Sequence, residues 1–115
     1  MACPVVARHS ERNELVIYGG AVHFSKDSIH DKEGRQSFGQ VVQNDGTGWG
    51  EMLHGAYLKK MSQEHGIVSA PDDILKVYAP GSIIKILPVH LCLTADNMKE
   101  YLTLSGRRID HFRFS

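Results

Sequence analysis

A chain of 115 residues has the length of one domain and can bury a modest core. Thirteen Lys and Arg residues balance thirteen Asp and Glu, so the formal charge is zero, which argues against a basic face built for nucleic acid. No apolar run is long enough to span a bilayer, and Met1-Ala2-Cys3-Pro4-Val5-Val6-Ala7 is too quickly polar for a signal peptide. Two cysteines, Cys3 and Cys92, make no disulfide framework of the kind small secreted domains use; with no membrane segment, the expected location is cytoplasmic.

The first seven residues read as a strand taken from the middle of a longer protein. Glu14-Leu15-Val16-Ile17-Tyr18 is a strand ended by Gly19-Gly20, and the alternation in Ala21-Val22-His23-Phe24-Ser25 predicts a second. Residues 26–35 are charged and read as a solvated loop. Ser37 to Gln43 is a third strand, followed by the hairpin signal Asn44-Asp45-Gly46. The stretch from Met52 to Gly66 carries two patterns. Leu53, Tyr57 and Met61 are spaced by four, as on a helix, while Tyr57, Lys59 and Met61 alternate with Leu58 and Lys60, as on a strand. Propensity favours a helix up to Glu64.

Beyond Gly66, Ile67-Val68 is a short apolar piece and Asp72-Asp73 is placed to cap one helical turn. Ala79-Pro80-Gly81 forms a turn, and Ser82 to Leu87 is the clearest strand. Thr94 to Lys99 suggests another helical turn. Tyr101 to Leu104 and Arg108 to Phe114 predict a closing hairpin around Ser105-Gly106-Arg107. There is no internal repeat. Short strands at regular spacing with few helices predict an all-β fold, a small β-barrel or curled sheet with one or two short helices, forming a single domain over 1–115.

Candidate chemistry centres on Pro88-Val89-His90-Leu91-Cys92-Leu93-Thr94. Extended chain places residues two apart on one face, and His and Cys are ligands that zinc prefers. The bland alternative makes Cys92 a small buried hydrophobe and His90 a hydrogen-bonded strand-end residue. Two ligands leave a site open, which suits catalysis better than structure. Glu64-His65-Gly66 is a second candidate, either for proton transfer or as a polar element end stopped by glycine. Tyr18-Gly19-Gly20 allows close backbone approach to a phosphate, or a tight turn between strands. Trp49, flanked by glycines, is a loop anchor or an interface residue. Of seven histidines, His9, His30 and His54 sit in polar or Gly-flanked surroundings that predict exposed loops. No serine triad order, nucleophile elbow or phosphate loop appears.

Several pieces together resemble a known family. Val16-Ile17-Tyr18-Gly19-Gly20, Phe24-Ser25-Lys26-Asp27, Ser62-Gln63-Glu64-His65-Gly66, Pro80-Gly81-Ser82-Ile83-Ile84 and the His90-x-Cys92 segment follow one another as in the C-terminal domain of D-threonine aldolases and D-serine dehydratases. These are pyridoxal-phosphate enzymes of the alanine-racemase fold type. The resemblance implies that His90 and Cys92 bind zinc or another divalent metal, and that Glu64, His65 and Thr94 lie on the substrate side or behind the ligands. Cys92, where aldolase-like members tend to carry Asp, points to zinc-assisted elimination from a D-hydroxy-amino acid. Val89 departs from the family, which often has Asn before the metal histidine.

The same resemblance implies an N-terminal (β/α) barrel carrying pyridoxal phosphate. At about 250 residues such a barrel has no room here. The chain is therefore expected to be the C-terminal domain alone, inactive in isolation, with the barrel as partner in cis or trans. The resemblance also allows a homodimer, and neither nucleic acid nor membrane is an expected partner. Two competing readings remain: a free-standing β-domain for interaction or assembly without metal or catalysis, and a small metal-binding regulator that senses amino acids.

Overall fold

The computed structural model describes residues 1–24, 28–30, 34–45, 48–89, 100–102, 104–106 and 108–110. Six strands close a barrel in which every neighbouring pair is antiparallel: β1 (Ala2–His9), β2 (Glu14–Tyr18), β7 (His65–Ser69), β6 (Gly48–Met61), β5 (Gly39–Asp45) and β8 (Ile83–Pro88), in that order round the wall. An even number of strands lets the antiparallel order close on itself and leaves no edge for adventitious pairing. The all-β barrel predicted from strand spacing is what the chain forms.

Alternation decides which side chains turn inward. Cys3 and Val5 of β1, Leu15 and Ile17 of β2, Val41 of β5, Leu58 of β6, Val68 of β7, and Ile84 and Ile86 of β8 are buried and fill the lumen. Burial pushes the Cys3 thiol up to about 11, so it stays a neutral, packed hydrophobe. The two mouths are plugged from outside the wall. Phe24, on the short helix α1 (Ala21–Phe24), fills one; Leu75, on α2 (Asp72–Leu75), and the following Tyr78 fill the other. Arg8 donates to the carbonyls of Leu75 and Lys76 at 3.5 and 3.4 Å, tying α2 to β1.

Three segments depart from the sequence expectation. Ala21 to Phe24 is a helical turn, because the amides of Ala21 and Val22 donate to the Ser62 and Gln63 carbonyls at 2.9 and 3.0 Å. That anchoring folds the chain over the barrel mouth instead of extending it. Asp72 and Asp73 lie within the first turn of α2 and make no capping bond, since Pro71 occupies the cap position. The largest difference is 52–64, which is not helix: it is strand as far as Met61 and then the turn into β7. The step of two from Gln40 to Val42 on β5 faces a step of five from Tyr57 back to Met52 on β6, so a bulge inserts extra residues and resets the inward phase. Gly55, at φ +81°, sits within the bulge in a conformation that favours glycine. His54 is exposed there. His9 closes β1 and His30 belongs to β3 (Ile29–His30), so these three histidines lie on strands, not in loops.

β3 pairs with β4 (Gln36–Ser37) as a ribbon that leads into β5. Near the end of the chain β9 (Glu100–Leu102) pairs with β10 (Arg108–Asp110) as predicted, but as a separate two-stranded sheet that does not close the barrel. The predicted helical turn 94–99 falls outside the described residues.

At the mouth plugged by α2, Lys59 and Arg12 both donate to the Glu14 carboxylate, Arg12 at 3.3 Å. The Lys59 hydrogen bond, ahead of the opposing effect of burial, holds the Glu14 carboxyl below its ordinary value. The folded state thus binds this proton less tightly than the unfolded chain. The contribution is complete above the ordinary carboxylate pKa and is lost as pH falls through the lowered folded value. Glu14→Gln should therefore lower the urea midpoint at pH 7, by the equivalent of up to about 1 kcal/mol, and make no difference near pH 2. A deficit that persists undiminished at pH 2 would show that packing, not charge, is responsible.

Candidate functional site

Strand direction assigns one end of the barrel. β2, β6 and β8 finish there, and β1, β5 and β7 begin there. Tyr18 is the last residue of β2, His65 the first of β7, and the two are register partners. Pro88 ends β8 at the same end, and the residue bonded to the following Val89 is His90.

On one side of this end three rings meet. The Tyr18 ring lies 5.6 Å from that of His23 and 5.4 Å from that of His65, the latter edge-on. The Gly20 amide donates to His23 Nδ1 at 3.1 Å. A nitrogen that accepts a hydrogen bond carries no proton, so neutral His23 keeps its proton on Nε2. The backbone of His65 is held by the turn that joins β6 to β7: its amide donates to Ser62 Oγ at 3.3 Å, and the Ser62 amide donates to the His65 carbonyl at 2.9 Å. Glu64 and His65 are both exposed, and no ion pair joins them among the described residues. Gly20 is buried against the carbonyls of Ser62 and Gln63, so the close approach that Gly19-Gly20 suggested is to the chain's own backbone.

On the other side a cleft of about 270 Å³ opens between the β3–β4 ribbon and the wall formed by β5, β6 and β8. Its lining includes Arg35, Gln40, Met52, Tyr57, Leu87 and Val89. The Arg35 guanidinium carbon stands over the Tyr57 ring, 4.9 Å from its centroid. Gln40 Nε2 holds the bulge in place, donating to the carbonyls of Leu53 and Ala56 at 2.8 Å and of Val41 at 3.1 Å.

His90, Cys92 and Thr94 lie outside the described residues, as does the Trp49 side chain. Among the described residues no group of three or more His, Cys, Asp or Glu side chains could hold a metal. The donor pair named from sequence fits zinc in kind, one imidazole and one thiolate. Sequence reasoning missed the cleft entirely and placed His65 without Tyr18 and His23. Register pairing of β2 with β7 was the signal that could have joined Tyr18 to His65. Among the described residues no helix is long and apolar enough to cross a membrane.

The family model described as "Putative serine dehydratase domain" matches residues 1–104, most of the chain. The chain belongs to this family. The resemblance carried by Glu64-His65-Gly66, Pro80-Gly81 and His90-x-Cys92, to the C-terminal domain of these fold-type III pyridoxal-phosphate enzymes, is thereby borne out.

Solved structures agree with the serine dehydratase domain assignment. An alanine racemase-like protein from Idiomarina loihiensis is 30% identical, with TM-score 0.73 over 93% of this chain and 29% of that one. D-threo-3-hydroxyaspartate dehydratase from Delftia sp. HT23 is 23% identical, with TM-score 0.75 over 99% of this chain and 32% of that one. D-threonine aldolase from Filomicrobium marinum is 21% identical, with TM-score 0.60 over 96% of this chain and 25% of that one. The last two likenesses speak for the fold. The chain thus spans less than a third of the length of each of these proteins. No curated protein matches it significantly.

Proposed function

We propose that this chain is the metal-binding C-terminal domain of a pyridoxal-phosphate-dependent D-amino-acid lyase, of the D-serine dehydratase or D-threonine aldolase type, with His90 and Cys92 as the protein ligands of zinc. The observation that carries this reading is the family match over 1–104, which takes in the whole His90-x-Cys92 segment. A second fact supports the pair. Alanine variants of D-threo-3-hydroxyaspartate dehydratase have been solved at a histidine and at a cysteine two residues further on, the cysteine variant in metal-free form. His90 and Cys92 have the same order and spacing.

Two protein ligands leave positions for substrate and water, as a catalytic site requires. Bound there, zinc would make the substrate hydroxyl a better leaving group, while pyridoxal phosphate, carried by an N-terminal (β/α) barrel in cis or trans, would serve as electron sink. This chain's own part is to hold and orient. The His90 imidazole and the Cys92 thiolate, two residues apart in the chain, would hold the metal together. The Val89 side chain has no polar group with which to orient the His90 ring. On the same family reading, Glu64, His65 and Thr94 would lie on the substrate side or behind the ligands.

Zinc titration of the purified chain against a competing chelator tests the ligands. His90→Ala and Cys92→Ala should each weaken zinc binding at least tenfold. Unchanged affinity in both would overturn the metal assignment. Alone, the chain should turn over neither D-serine nor D-threonine; turnover by the purified domain would overturn its dependence on the barrel.

A further inference from the structure

We infer that His23 is a proton-operated latch: its neutral ring holds α1 over the barrel mouth, and its protonation lets α1 lift away. The inference goes beyond the metal reading and does not depend on it.

The latch is one half of a capping box with a part exchanged. In such a box the third helical residue, Glu or Gln, reaches back with its side chain to the backbone N–H just before the helix. Gly20 immediately precedes α1, and His23 is the third residue of α1. Its Nδ1 accepts from the Gly20 amide at 3.1 Å. Gly20 is buried, and its amide has no other partner among the described residues. A buried N–H left without an acceptor has given up water for nothing.

A Gln in this place accepts at any pH. Imidazole does not, because once protonated it carries hydrogen on both nitrogens and only donates. Two N–H groups would then face each other where one bond now runs. Turning the ring away does not restore the balance, since the buried amide still lacks an acceptor. Gly20 must therefore shift, and α1 with it, because the Gly20 carbonyl accepts from the His23 and Phe24 amides at 2.9 and 3.0 Å. Tyr18 of β2 is the titratable group against the His23 ring, at 5.6 Å, and His65 of β7 stands 5.4 Å from Tyr18 in turn. Among the described residues no carboxylate pairs with His23, Glu64 included, so none offsets the lost bond.

What the latch guards is the mouth itself. The Phe24 ring and Cys3 Sγ both lie against Gly19, 3.0 and 2.9 Å from where a Cβ would stand. Both side chains are buried. Lifting α1 draws Phe24 off and opens Cys3 to solvent, at the end of the barrel where β8 runs out.

Nuclear magnetic resonance of the nitrogen-labelled chain tests this. Over the pH range in which the His23 ring signals show it taking up its proton, protection of the Gly20 and Phe24 amides should fall at least tenfold, after correction for the intrinsic exchange rate. Cys3 should open in parallel to a pyridyl disulfide, which reacts with thiols in acid, read in the Cys92→Ala chain where it is the one thiol left. His23→Gln keeps an acceptor and loses the titration, so its protection should stay constant over the same range. His23→Ala should show the open state at every pH. Protection that does not follow the His23 ring in the unsubstituted chain would overturn the latch. An equal acid loss in His23→Gln would do the same, by assigning the response to another group such as His65. Loss at Gly20 alone, with Phe24 and Cys3 still covered, would mean that the ring swings without lifting α1, and that too overturns it.

Discussion

Gly20→Ala is expected to destabilise the domain by about 2–4 kcal/mol, more than most single substitutions. A Cβ at position 20 would come within 2.6 Å of both the Ser62 and the Gln63 carbonyl oxygens. Neither oxygen can easily retreat, because they accept the amides of Ala21 and Val22 that begin α1. Relief of the overlap must therefore separate α1 from the β6–β7 turn, loosening Phe24 in the barrel mouth and breaking the Gly20 amide bond to His23. Urea denaturation measures the loss. The signals of the His23 and His65 rings, which flank Tyr18, should report it locally. A variant with wild-type stability would mean that the turn yields at little cost, and that the contact is not a constraint.

This site also shows where sequence reading succeeds and where it stops. The strand β2 was legible because Leu15 and Ile17 alternate inward with outward neighbours, and β5 and β8 because each is a short apolar β-branched run, such as Val41-Val42 or Ile83-Ile84, bounded by turn residues. The segment 21–24 alternates equally well, yet is helical, because its amides find carbonyls some forty residues away. Local pattern cannot report a partner so distant in sequence. β6 was misread for a different reason: the bulge around Gly55 shifts the inward phase, so no single period-2 pattern runs through the strand. The pair of candidate ligands was named from residue type and from family resemblance, and it lies outside the described residues. The cleft was not, since Arg35, Gln40, Tyr57 and Val89 come from four separate stretches that only barrel closure brings together.

Gln40 is the residue whose loss should most disturb that cleft. Its Nε2 spans the bulge, donating to Leu53 O on one side of Gly55 and Ala56 O on the other, each at 2.8 Å. Gln40→Leu keeps the volume but removes the donor, leaving two half-buried carbonyls without it. At roughly 1–3 kcal/mol for an unsatisfied group, partly relieved by water, the expected loss is about 2–3 kcal/mol. Gln40→Glu should be worse at neutral pH, because a carboxylate oxygen would then face the carbonyls that the amide nitrogen serves. Such a carboxyl binds its proton more tightly in the folded chain than in the unfolded one. The deficit should shrink as pH falls, when the protonated group can donate to one carbonyl again. Gln40→Leu has no such dependence. Urea midpoints of the two variants at pH 7 and pH 4 separate these effects, and a pH-independent deficit in Gln40→Glu would rule out the donor role. Because Gln40 and Tyr57 are register partners, either variant should also move the Tyr57 ring from beneath Arg35. Zinc affinity, which the proposed ligands His90 and Cys92 would set, should not change.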